Sequence, residues 1–69
     1  MPQRKDFSER AEEITWRVAR KRYAEAPRLL RAFRDGLNTH DIAVWAEMPE
    51  AAVVLLLSAA RYDERKQAA

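Results

Sequence analysis

Apolar residues recur at helical spacing along most of this chain, and four segments account for them. Phe7, Ala11, Ile14 and Val18 step by four, three and four residues, which places them on one face of a helix. Asp6 stands where an N-cap belongs, with Glu9 three residues on as the acidic partner of a capping box. The first helix is therefore expected over 6–25, behind a disordered basic arm at residues 1–5. A second stripe, Trp16, Ala19 and Tyr23, lies to one side and gives this helix a wide buried face or a partner-binding strip. Glu13 and Arg17 sit at i,i+4 in the favourable order.

Pro27 disfavours helical geometry at Ala26 and suits the first turn of a new helix, expected over 27–35. Leu29, Leu30 and Phe33 point inward there, followed by Leu37, while Arg28, Arg31 and Arg34 face solvent. Gly36, the only glycine, falls where a left-handed helix cap is needed. Asn38 then caps a third helix over 39–46, with Ile42, Ala43 and Ala46 inward. After Glu47 and Met48, Pro49 opens a last helix over 49–65, with Val53, Leu56, Leu57 and Ala60 inward. Residues 67–69 form a frayed tail. The pattern predicts an all-α chain, one compact bundle of four helices over 6–66.

Composition narrows the picture. Sixty-nine residues make one domain near the lower end of what folds alone. The absence of cysteine excludes disulfides and thiolate metal sites. The start MPQRKDFSER runs into charge with no apolar stretch of a signal peptide, and the longest apolar run, Ala51–Leu57, is far too short to span a bilayer. A cytoplasmic chain without membrane contact is expected. The net charge of +2 resides wholly in residues 1–26, which hold seven Lys/Arg against five Asp/Glu, while the rest is balanced.

Residues 36–61, GLNTHDIAVWAEMPEAAVVLLLSAAR, resemble the helix-turn-helix of bacterial and phage regulators, of the sigma-factor region 4-like and homeodomain-like kinds. The matching positions are Ile42 and Ala43 in the first helix, Met48 in the turn, and Val53 and Leu56 in the second. A small residue at Ala43 lets the helices cross closely while the others fill the wedge between them. The resemblance implies a DNA-binding transcription regulator, a homodimer with double-stranded DNA as its partner and the last helix at the major groove. Two positions depart from the pattern. Glu47 stands where glycine is common, so a left-handed turn there either costs energy or is relaxed away. The outward start of the last helix carries Glu50, Ala51, Val54 and Leu55 rather than residues that donate to base edges.

On that basis Arg17, Arg20, Lys21, Arg28, Arg31, Arg61 and Arg65 are the candidate phosphate contacts, and Glu50, Ala51 and Val54 the candidate base-facing residues. The competing explanation of the basic residues is a solvated helix face. Trp16, Trp45, Leu55 and Tyr62 are candidates for an interface with a second copy or another protein, which is the alternative function: a protein-interaction module on the same scaffold. The competing explanation of Val54 and Leu55 is ordinary core under the first helix. His40, the lone histidine, has no further ligands at metal-binding spacing, and no nucleophile–base pair or phosphate loop appears. No enzyme activity, metal or cofactor is expected.

Overall fold

The computed structural model describes residues 2–68, with side chains from Arg10 onward. Four α-helices carry the chain: α1 Pro2–Lys21, α2 Ala26–Arg34, α3 Thr39–Ala46 and α4 Glu50–Ala68, with a 3₁₀ turn at Tyr23–Glu25 between the first two. No strand occurs among the described residues. The all-α, four-helix reading holds, with shifted boundaries. The helix begins at Pro2, so residues 2–5 of the expected arm are helical and Asp6 lies inside α1 rather than at its cap; the side chains of the Asp6–Glu9 capping box lie outside the described set.

The first helix stops well ahead of Pro27. Its last turn closes with the Arg22 N–H on the Val18 carbonyl, and Arg22 itself leaves helical geometry at φ −110°. The Arg22 side chain then turns back to hold Glu25 through two hydrogen bonds of 2.7 and 2.8 Å, and reaches across to the Glu47 carbonyl at 3.1 Å. A charged clip between Arg22 and Glu25 spans the break, and Pro27 takes its expected place in the first turn of α2. At the far end α4 continues to Ala68, past the expected stop near Arg65. Pro49 is its cap rather than its first residue, since the Pro49 carbonyl accepts from Ala52 and Val53.

The caps around α3 follow the residue chemistry. Gly36 ends α2 at φ 115°, and an added Cβ would meet nothing within 4 Å, so the glycine is there for its backbone conformation. The Asn38 side chain accepts from the Asp41 N–H at 2.8 Å, tying the first turn of α3. Glu47 ends α3 in the left-handed region, φ 55° and ψ 54°, so the strained conformation is kept and not relaxed away. The reason lies in the bonds it permits. The Glu47 N–H meets the Val44 carbonyl at 3.3 Å and the Met48 N–H meets the Ala43 carbonyl at 3.1 Å, which satisfies the helix end.

α4 packs against each of the other three helices. Its Ala52, Val53, Leu56, Leu57 and Ala60 are buried among Leu29 and Leu30 of α2, Ile42 and Ala43 of α3, and Met48 of the turn. The axes of α3 and α4 lie 105° apart across the connection 47–49, the geometry of a helix-turn-helix unit. α1 contributes less than expected. Ala19 is its one buried residue among those described, Val18 is half-buried, and Ile14 is 54% exposed. The helix is rotated so that Ala11, Trp16, Ala19 and Tyr23 lie along α4 while Ile14 turns away from it. Small Ala19 allows the close approach, and the Tyr23 hydroxyl donates to the Asp63 carboxylate of α4.

Replacing Glu47 by glycine should stabilise the fold. A left-handed non-glycine residue costs roughly 1–2 kcal/mol, less the extra chain entropy a glycine must lose, for a net gain of about 1 kcal/mol. The Arg22 contact is to the backbone carbonyl and survives the change. Urea unfolding should show a higher midpoint at unchanged slope; a lower midpoint would mean that the Glu47 side chain supports the turn.

Candidate nucleic-acid interface

Burial of one side of α4 fixes what its other side presents. Val54, Ser58, Arg61 and Arg65 follow one another by four, three and four residues and share an outward face, with Glu50 and Ala51 at its start. Val54 is 48% exposed and Ala51 is exposed, so both are free to touch a ligand rather than buried as core. Glu50 accepts a 2.5 Å hydrogen bond from the Thr39 hydroxyl. That bond ties the first turn of α4 to the first turn of α3 and holds the carboxylate toward α3.

The candidate phosphate contacts do not converge on one patch. Arg61 and Arg65 line a single pocket of α4 together with Ser58, Glu64 and Arg34 of α2. Arg31 instead shares a hollow with Asp35, Asp63 and Glu64, a setting unsuited to an anion. Arg28 stacks on Trp45 with its guanidinium carbon 4.7 Å from the ring centre. Arg17 pairs with Glu13 at 2.9 Å on the exposed side of α1, where Arg20 and Lys21 form the last turn. Sequence spacing missed Ser58. Arg34 reads from the sequence as a continuation of the basic run of α1, and the packing of α2 along α4 brings it beside Arg61 instead.

Two ion pairs show the electrostatics of the scaffold. Arg34 forks onto Glu64 through bonds of 2.7 and 2.6 Å, which holds the Glu64 carboxyl below the usual carboxylate range and raises the Arg34 guanidinium. The hydrogen bond from Arg22 likewise lowers Glu25. The bond to Asp63 raises the Tyr23 hydroxyl, because an ionised phenol would face a carboxylate.

The four candidate interface residues divide. Trp16 (54% exposed) and the half-buried Leu55 wall the seam between α1 and α4, and Tyr62 is exposed on α4, seven residues after Leu55 on the same helix face. Two open grooves of about 530 and 430 Å³ share Trp16 and Leu55 as walls, the first continuing to Ala51 and Val54, the second to Tyr23 and Ala59. α1 therefore covers Leu55 only in part. Trp45 stands apart, on α3, with its ring occupied by Arg28. His40 is exposed, and no three acidic or histidine side chains converge on a metal-sized site among the described residues. No single helix among them is long and apolar enough to cross a membrane. Compared with protein-family models, curated proteins and solved structures, the chain matches none.

Proposed function

We propose that this chain is a small, non-enzymatic DNA-binding protein of the helix-turn-helix kind, acting on transcription in a bacterial or phage setting, with α4 laid in the major groove. The observation that carries the proposal is the 105° crossing of α3 and α4 across a three-residue turn. That crossing turns the unburied side of α4 outward. Ala51 and Val54 offer apolar contact suited to thymine methyl groups, and no side chain of the first two turns makes a bidentate base contact. Affinity then comes mainly from cations on phosphates, and discrimination between sequences is weak.

Titration of a random-sequence duplex tests this. With about four phosphates neutralised, affinity should fall about a hundredfold between 50 and 200 mM salt. Absence of binding at low salt contradicts the proposal.

A protein partner is the second reading, favoured by one observation: the exposed apolar seam of Trp16, Tyr23, Leu55 and Tyr62 is wide for so small a chain. Its simplest occupant is a second copy, giving a homodimer that leaves Arg61 and Arg65, which line neither seam groove, free. Light scattering should then report about twice the 8.0 kDa chain mass, returning to 8.0 kDa in Leu55→Glu or in the more exposed Tyr62→Glu. A wild-type protein already at 8.0 kDa would rule out the homodimer.

A further inference from the structure

An open pocket of about 420 Å³ between the outward face of α4 and the end of α2 is lined by Arg34, Arg61 and Arg65 and by the single carboxylate of Glu64. Two of the three are held in place. Arg34 is fixed by its fork onto Glu64, and the Arg61 guanidinium lies 5.2 Å from the centre of the Phe33 ring. Among the described residues no carboxylate lies within ion-pair distance of Arg61 or Arg65. Their N–H donors therefore remain available to a tetrahedral anion, and the exposed Ser58 hydroxyl, one turn before Arg61 on the same pocket wall, is a further donor.

We infer that Ser58, Arg61 and Arg65, backed by Arg34, form a clasp for a phosphodiester group of the duplex backbone. As a DNA contact, the clasp presupposes the function proposed above. Its place on α4 is what selects a phosphodiester. Arg61 and Arg65 lie about 10 and 16 Å beyond Val54 along the helix axis, by the helical rise of 1.5 Å per residue. A major groove is about 12 Å wide. The N-terminal part of such a helix meets the base edges; with Val54 there, both guanidiniums lie farther from the bases than half a groove width, toward the backbone. The clasp positions α4 along the groove and reads no sequence.

The test compares the salt dependence of random-duplex binding in wild type, Arg61→Gln/Arg65→Gln, Arg65→Gln, Ser58→Ala and, as a change outside the pocket charge-matched to Arg65→Gln, Arg10→Gln. The double variant should have a log–log salt slope shallower by about 2, and Ser58→Ala an unchanged slope with affinity weaker by about threefold. Arg10→Gln should behave as wild type. Should loss of the Phe33 contact unfold the double variant, Arg65→Gln alone should lower the slope by about 1. A folded double or single variant with the wild-type slope overturns the clasp and leaves DNA binding standing. If the wild-type protein binds no duplex, the functional proposal falls. Titration with inorganic phosphate, followed through the arginine side-chain N–H resonances, then decides the site alone. Shifts at Arg61 and Arg65 retain an anion site for a phosphate source other than DNA, and their absence overturns it.

Discussion

The packing of α4 governs the rest of the molecule. A 19-residue helix with buried Ala52, Val53, Leu56, Leu57 and Ala60 has an apolar surface too wide for one neighbour to cover, so three helices surround it in part. α2 supplies Leu29 and Leu30 along its length, and α3 caps its start at a steep angle with Ile42 and Ala43. That steep approach requires α3 to end abruptly. Glu47 takes the left-handed conformation, Met48 is drawn under the turn, and Arg22 braces the Glu47 carbonyl from the end of α1. A local backbone cost is thus offset by burial of Met48 and by satisfied helix-end groups.

Charge serves two purposes in this chain, and geometry separates them. Arg22, Arg34 and Arg28 are engaged in clips and stacks that hold elements in register. Exposed pairs of this kind contribute little stability, but they fix side-chain directions. Arg61 and Arg65, free of carboxylate partners among the described residues, share a face with Val54. Net charge near zero therefore conceals a local excess on the side of α4 that the core leaves open.

The sequence made the helices and their punctuation legible, because their causes are local. Gly36, Asn38 and Pro49 act through their own backbone or side chain, and each lies at the end of a helix as expected. The inward set of α3 and α4 was equally readable from spacing, since Ile42, Ala43, Val53 and Leu56 are all buried. The rotation of α1 was not. The spacing offered a wide apolar face, of which Val18 and Ala19 pack on the core while Ile14 stays exposed. Ala19 prevailed because a small side chain admits a closer helix–helix contact. The arginine pocket was hidden for a related reason: Arg34 and Arg61 are far apart in sequence and meet only through the α2–α4 packing. The strip of Val54 and Leu55 had two readings until the coverage by α1 was known, and it proved to be covered on the Leu55 side alone.

Mapping of backbone amide shifts on adding a short random duplex to the isotopically labelled protein addresses directly whether the outward face of α4 is the working surface. Perturbations should concentrate at Glu50, Ala51, Val54, Ser58, Arg61 and Arg65. Perturbations confined to the seam of Trp16, Tyr23, Leu55 and Tyr62, or none at all, would contradict it.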